Sequence, residues 1–143
     1  MFNPGETGPG YLQQGTQGGT VFGSLLPHIM YQPFSGLITS GITAYFWAGS
    51  ITCTITHTYL VVDPGGSAQI DVWKTSAGSA RPTVANSITG GNYPSVSGAT
   101  VPLVGGVSGW TNTTVLANDN WAVNIVSVSN TTFLGFGLEC DSN

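Results

Sequence analysis

Residues 51–62 read ITCTITHTYLVV, and this stretch decides the fold class. Apolar or bulky side chains take every second position from Ile51 to Val61, His57 included, and threonines at 52, 54, 56 and 58 stand between them. Because side chains alternate between the two faces of a β-strand, the pattern predicts one apolar face and one threonine face. Such a strand is typical of an antiparallel sheet with one side on the core and the other facing water or a partner.

Outward from this stretch, turn residues and alternating patterns predict further strands. The Asp63-Pro64-Gly65-Gly66 turn leads into the next strand, so we expect 51–62 and 68–74 to form a hairpin. The last two predicted strands, 121–128 and 131–139, are likewise expected to form a hairpin, through Ser129-Asn130. The predicted strands are thus 42–47, 51–62, 68–74, 121–128 and 131–139. No stretch has a sustained period of 3.6 residues, so the chain predicts an all-β domain, an antiparallel β-sandwich of jelly-roll-like type.

Two less regular segments and one pair of glycines add to this prediction. Residues 21–34 are apolar but broken by Pro27 and Pro33, which favours edge material in a sheet. Residues 75–106 are rich in Gly, Ser and Pro and predict a long, functional or interfacial connection with a short helical turn around 82–87. Gly135 and Gly137 share one face of the last strand, which indicates that another backbone or an aromatic ring comes close there.

The N-terminal residues 1–20 differ in composition from the rest of the chain. They are rich in Gly and Pro, and their large apolar side chains are Phe2, Tyr11 and Leu12. This composition excludes a regular element and predicts an extended arm, with 21–143 as the β-sandwich domain. We expect the arm to become ordered on another subunit through Phe2, Tyr11 and Leu12; a mobile tail is the alternative.

Charge is scarce throughout the sequence. The chain has 143 residues with 2 Lys+Arg and 6 Asp+Glu, so 6% of the residues are charged, whereas about 25% is usual. A net charge of -4 argues against nucleic acid and against an anionic membrane surface, which both require clustered cations. The many β-branched and aromatic residues argue against disorder. Most of the surface must therefore be neutral, or be covered by partners.

The candidate residues for chemistry do not form a recognisable catalytic set. Cys53 and His57 are separated by four strand residues, or roughly 13 Å, which is too far for a thiol to be activated by the imidazole. The sequence has no HxH, HxxxH or CxxC spacing and no nucleophile elbow or phosphate-binding loop. We therefore expect no enzyme, no metal site and no cofactor. Cys53 and Cys140 can pair only if their strands are neighbours, and the sequence leaves this open.

The two cations lie close together in sequence, at Lys74 and Arg81. Asp71 and Lys74 point to opposite faces of one strand, so they should not pair with each other. Arg81 could reach Asp71, Asp119 or the carboxylate of a neighbouring subunit; a solvated loop arginine is the alternative. Our hypothesis is that Asp71, Lys74 and Arg81 pin a strand-to-loop junction or form trimer contacts.

Aromatic residues raise a second possibility, carbohydrate binding, because aromatic faces stack on sugars. Trp73 and Trp121 lie in patterned strands and are better explained by core packing. Tyr93 and Trp110 lie in or beside the long connection and are the better candidates for contacts to a glycan.

Several turn and strand motifs recur in an order that resembles a β-sandwich module of tailed-bacteriophage virion proteins, known mainly from the C-terminal part of tail fibres. The resemblance covers roughly residues 36–139. It rests on IDVWK at 70–74, PTVANSITG at 82–90, Pro94 with Ser97-Gly98, Gly109-Trp110-Thr111, Asn118-Asp119, and the strands WAVNIVSV at 121–128 and FLGFGL at 133–138.

Such modules imply a homotrimeric protein of the virion surface without catalysis. This chain departs from the tail-fibre pattern because a short arm replaces the long N-terminal shaft, and Met1 leads directly into that arm. We therefore expect a small free-standing protein, made in the bacterial cytoplasm, that cements the capsid exterior by binding the major capsid protein or other virion proteins. The alternative is a tail-fibre or tail-tip module that binds a host glycan.

Overall fold

Two antiparallel β-sheets pack face to face in a computed structural model that describes residues 28–98 and 103–142. This confirms the predicted all-β sandwich. The connection after β4 contains a 3₁₀ turn at Val84–Asn86, as expected from the sequence. The strands of the described residues are β1 His28–Ser35, β2 Thr43–Trp47, β3 Cys53–Val62, β4 Ser67–Thr75, β5 Ser95–Ser97, β6 Leu103–Gly106, β7 Thr114–Val115, β8 Asn120–Ser129 and β9 Phe133–Ser142.

The strand order is that of a jelly roll. Sheet A has the order β1-β9-β3-β6, with β7 also paired to β3, and sheet B has the order β2-β8-β4-β5. The chain therefore wraps as four antiparallel pairs, β1 with β9, β2 with β8, β3 with β6 and β4 with β5. These eight strands form the double-sheet jelly roll, and β7 adds a short fifth strand to sheet A. β1 lies at the edge of sheet A, and this position explains how it accommodates Pro33.

The predicted hairpin of 51–62 with 68–74 is wrong. β3 pairs with β9, β6 and β7, whereas β4 pairs with β8 and β5, so the turn at 63–66 is a corner between sheets. The predicted hairpin through Ser129-Asn130 is also wrong: β8 and β9 lie in different sheets, so the turn after β8 is a second corner. The two corners bind each other: the Thr132 amide and hydroxyl donate to Asp63 at 2.6 and 2.8 Å. These hydrogen bonds hold the pKa of Asp63 below its usual value.

A β-bulge in β3 changes which side chains face the core. The register with β9 shifts between Ile55 and His57, leaving Thr56 as the extra residue. Inward positions are therefore odd-numbered before the bulge and even-numbered after it, so that Thr58 is buried and His57 is exposed. The expectation that one side of β3 is apolar and the other side carries the threonines is wrong beyond Ile55, and His57 does not face the core.

The core lies between the two sheets and includes a disulfide bond. Cys53 on β3 and Cys140 on β9 are bonded, with their Cα atoms 5.8 Å apart, and both residues are fully buried. The sequence left open whether the two cysteines lie on neighbouring strands, and the structure shows that β3 and β9 are paired. The largest fully buried side chains come from both sheets and include Ile55, Leu60, Ile70, Val72, Trp121, Ile125, Leu134, Phe136 and Leu138.

The predicted arm at 1–20, with Phe2, Tyr11 and Leu12, lies outside the described residues. Within residues 28–98 and 103–142, no helix has the length and apolar character needed to cross a bilayer.

Candidate interaction surfaces

Asp71 fastens the long connection to the edge of β4. One carboxylate oxygen accepts hydrogen bonds from the Val72 amide at 2.8 Å, the Ser87 hydroxyl at 2.7 Å and the Thr89 hydroxyl at 2.8 Å. The other oxygen accepts a 2.7 Å bond from the Trp73 indole. The residue is buried and all its partners lie within the same chain. Asp71 therefore stabilises a strand-to-loop junction and has no exposed carboxylate to offer a second subunit.

Lys74 points to the other face of β4, into one end of the sandwich. Its ammonium donates a 2.8 Å hydrogen bond to Asp119, and the two side chains are only 8% and 2% exposed. The same carboxylate oxygen accepts a 2.9 Å bond from the Leu116 amide. The ammonium also lies 5.9 Å from the centroid of the Trp121 ring, within cation–π range. This is a buried, internally paired charge.

Arg81 pairs with neither of the two carboxylates that the sequence suggested. Asp71 and Asp119 are buried and hydrogen-bonded to other donors. The Arg81 guanidinium instead lies over the Tyr45 ring, with its central carbon 4.8 Å from the ring centroid. The three predicted junction residues thus reach three different places: a β4 edge, a sandwich end and the outside of sheet B.

Part of the outer side of sheet A is apolar. In one cross-strand row, Tyr31, Gly137, Tyr59 and Val104 stand side by side on β1, β9, β3 and β6. We call this surface the apolar face; it is formed by Tyr31, Pro33, Tyr59, Val61, Val104 and Phe133 above Gly135 and Gly137. Tyr31 and Val104 are 57% and 55% exposed. A solvated outer face normally carries polar side chains at these positions, so the apolar face is suited to a protein partner.

Glycine in β9 allows Tyr31 to lie flat on the sheet. A Cβ atom at position 135 would collide with the Tyr31 hydroxyl and come within 2.9 Å of its ring, and one at 137 would lie 3.8 Å from the same ring. The sequence-based expectation that another backbone or an aromatic ring approaches these glycines is confirmed, with the Tyr31 ring close to Gly135 and the Met30 carbonyl close to Gly137. The close approach keeps the apolar face low and even, which favours contact with another flat surface.

Two polar side chains, His57 and Glu139, border the apolar face on one side. The His57 imidazole lies 3.1 Å from the Glu139 carboxylate, in the cross-strand row next to Tyr59. Partial burial of Tyr59 and its hydrogen bond to Glu139 raise the pKa of the Tyr59 hydroxyl. The apolar face itself contains no charged side chain among the described residues.

A groove of about 410 Å³ opens where the β5 and β6 edges of the two sheets meet. Tyr93 lies in its wall, and its other lining residues are all uncharged: Thr58, Leu60, Asn92, Pro94, Ser95, Leu103, Gly105, Gly106 and Ser108. Trp110 is placed differently. Its indole donates a 3.2 Å hydrogen bond to the Asn92 carbonyl and its ring packs against the core, so it supports the groove wall from behind.

The described residues hold no cluster of three or more His, Cys, Asp or Glu side chains that could bind a metal ion. No protein-family model matches the sequence, and no curated protein matches it significantly. The function of these surfaces therefore has to follow from their geometry and composition.

The sequence alone did not indicate the apolar face. Its side chains come from four strands that are distant in the chain, and the bulge moves Tyr59 and Val61 to the outside. The paired glycines of β9 were the one available signal, because they marked the position of a close contact without identifying Tyr31 as its partner.

Proposed function

We propose that this protein is a non-enzymatic structural protein of a bacteriophage virion, a homotrimer that decorates and stabilises the capsid exterior. The observation that carries the proposal is the apolar face of sheet A. Desolvating charged groups is costly, and a contact built from neutral side chains avoids this cost. The overall scarcity of charge fits the same purpose, because 6% charged residues leave much neutral surface for assembly.

The apolar face is the proposed contact between subunits. Four strands spaced by about 4.8 Å and three rows spaced by about 7 Å cover roughly 400 Å². A partner in a standard protein interface contributes about 800 Å². The apolar face thus supplies about half of one such contact, and we assign the remainder to the arm at 1–20 through Phe2, Tyr11 and Leu12.

Two further arguments support the virion as the location. The double-sheet jelly roll recurs in viral capsid domains and also in lectins, so the fold is compatible with the proposal without deciding it. The motifs at 70–90 and 109–138 resemble a module of phage virion surface proteins. On this proposal the partners are two further copies of the chain and the major capsid protein or other virion proteins.

Analytical ultracentrifugation tests the trimer. We expect the purified protein to sediment as a trimer, and a Tyr31→Glu/Val104→Glu variant to sediment as a monomer with an unchanged far-UV spectrum. Both replaced side chains are more than half exposed, so the variant should keep its fold. Val84→Glu is the matched control, since it adds a charge at an exposed apolar residue outside the apolar face. A monomeric wild-type protein at about 100 μM, or a trimeric double variant, would contradict the proposal.

Attachment to particles is the second part of this test. Purified protein is mixed with particles stripped of it, and its occupancy is counted after sedimentation. We expect deletion of residues 1–20 to abolish attachment while the β domain stays folded. Undiminished occupancy of the shortened protein would rule out the cement mechanism.

A second candidate function is recognition of a host glycan in the groove beside Tyr93. The observation in its favour is the groove itself, which combines an aromatic side chain with hydroxyl and amide groups and has no charge in its lining. We expect Tyr93→Ala to reduce binding on a glycan array by tenfold or more if this function is correct. Val84→Ala is the control, because it truncates an exposed side chain that belongs neither to the groove lining nor to the apolar face. Binding that is absent, or equal in both variants, contradicts it.

A further inference from the structure

The outer side of sheet B carries exposed aromatic side chains that the core does not use. Tyr45 and Trp47 lie two residues apart on β2 and so project from the same face, about 7 Å from each other. They are 45% and 65% exposed. Trp47 is thus a largely uncovered indole on an edge strand, and its flat ring is available for stacking.

Arg81 lies over the Tyr45 ring, at the end of a turn that side-chain hydrogen bonds fix in place. The Asn120 side chain donates to the carbonyls of Ser76 at 3.2 Å and Ser79 at 3.1 Å, and the Thr75 hydroxyl donates to the Ala80 carbonyl at 2.8 Å. Asn120 is itself the register partner of Trp47. Hydrogen bonds from Asn120 therefore hold the turn that precedes Arg81 next to the end of β2 where Trp47 lies.

The Arg81 guanidinium has unused binding capacity. One of its faces lies over the Tyr45 ring, at 4.8 Å from the ring centroid, and the residue is exposed. Among the described residues, the contacts at ion-pair distance are those of Lys74 with Asp119 and of the His57 imidazole with Glu139, so Arg81 has no carboxylate at that distance. A planar guanidinium fixed on an aromatic ring is preorganised for bidentate binding of a carboxylate.

We propose that Tyr45, Trp47 and Arg81 form a binding site for an acidic polysaccharide, a glycan whose sugars carry carboxylates. A sugar ring would stack on Trp47, its carboxylate would pair with Arg81, and Tyr45 would hold the guanidinium in position. Nucleic acid is a poor fit, because a single arginine in a chain with a net charge of -4 cannot neutralise a run of phosphates. The proposal depends on neither the trimer nor the Tyr93 groove.

Isothermal titration with defined oligosaccharides tests the site. The probes are oligogalacturonate and alginate oligomers for uronate chains, and sialyllactose for sialylated glycans; maltohexaose is the neutral control. We expect one acidic class to bind and the neutral probe not to bind. Arg81→Ala should weaken binding at least tenfold, Arg81→Lys less, and Trp47→Ala about fivefold to tenfold. Val84→Ala is the control, because it truncates an exposed side chain three residues from Arg81.

Raising the salt concentration should weaken the interaction, since the carboxylate pairs with an exposed cation. Binding should persist in the monomeric Tyr31→Glu/Val104→Glu variant, which separates this site from the trimer. The proposal is overturned if no acidic probe binds at up to about 1 mM, or if Arg81→Ala binds as tightly as the wild type. It is also overturned if Arg81→Ala dissociates the trimer, because the partner of Arg81 would then be a carboxylate of a second copy.

Discussion

Replacing Asp119 by alanine should lower the free energy of unfolding by about 3–5 kcal/mol. The substitution removes the carboxylate that compensates the buried Lys74 ammonium, whose side chain is only 8% exposed. A charge left in the protein interior without a partner loses the solvation that it has in the unfolded chain. The Leu116 amide also loses its acceptor, so the substitution affects the turn before β8.

Urea unfolding followed by tryptophan fluorescence measures the effect, with the transition midpoint and slope fitted together. Two control variants isolate the charge. Lys74→Met/Asp119→Leu removes both charged groups and should recover most of the loss, because apolar replacement of a buried pair is often neutral. Asp141→Ala removes an exposed carboxylate and should change stability by less than about 0.5 kcal/mol. A loss below about 1 kcal/mol for Asp119→Ala would show that water reaches Lys74 and that the pair is not desolvated.

The burial of Lys74 has a consequence for binding. The sequence offers two cations, and the structure uses one of them inside a single chain, where it cannot contact a partner. Arg81 is thus the cation available to an external carboxylate within the described residues. On our proposal, Arg81 therefore binds the ligand, whereas Lys74 with Asp119 stabilises the fold.

Alternation of apolar side chains was sufficient to predict the sandwich, because each long strand must bury one face. It was not sufficient to predict strand neighbours. The turn residues at 63–66 indicate that the chain reverses there. They do not determine whether the next strand pairs with the preceding one or crosses to the opposite sheet. That choice is set by distant contacts, such as the hydrogen bonds from Thr132 to Asp63, 69 residues along the chain.

The candidate sites depend on the same distant information. The bulge at Thr56 adds one residue to β3, and this reverses the sides on which His57, Tyr59 and Leu60 lie. The alternation of side chains along one strand cannot reveal such an insertion, because the bulge is defined by the pairing of β3 with β9. Likewise, Trp47 and Arg81 are 34 positions apart in sequence, and only the turn pinned by Asn120 places them on one side of sheet B.

Reducing the Cys53–Cys140 disulfide should lower the free energy of unfolding by about 4–5 kcal/mol. The bond closes a loop with a sequence separation of 87 residues, which contains every strand from β3 to β9. Cross-linking so long a loop removes many conformations from the unfolded chain, so the oxidised protein gains stability relative to its unfolded state. We expect the reduced protein to keep the same fold, because the two strands also share a continuous backbone ladder.

The measurement compares urea midpoints of oxidised protein with those of protein reduced in denaturant and refolded in the presence of reductant. Reduction in denaturant is required because both cysteines are fully buried in the folded state. The Cys53→Ala/Cys140→Ala variant is the control, and its midpoint should not respond to reductant. Equal midpoints for the oxidised and reduced wild type, or two free thiols in protein denatured directly from purified particles without reductant, would contradict the prediction.

The same bond ties stability to the surroundings of the protein. Disulfides persist in oxidising environments, including virion surfaces, and are rare in a reducing cytoplasm. If the protein acts on a released particle, as we propose, it should carry free thiols in cytoplasmic extracts prepared with a thiol-trapping reagent and the bond in purified particles. It would then reach its full stability only after release, when the particle exterior must resist mechanical and chemical stress without further synthesis.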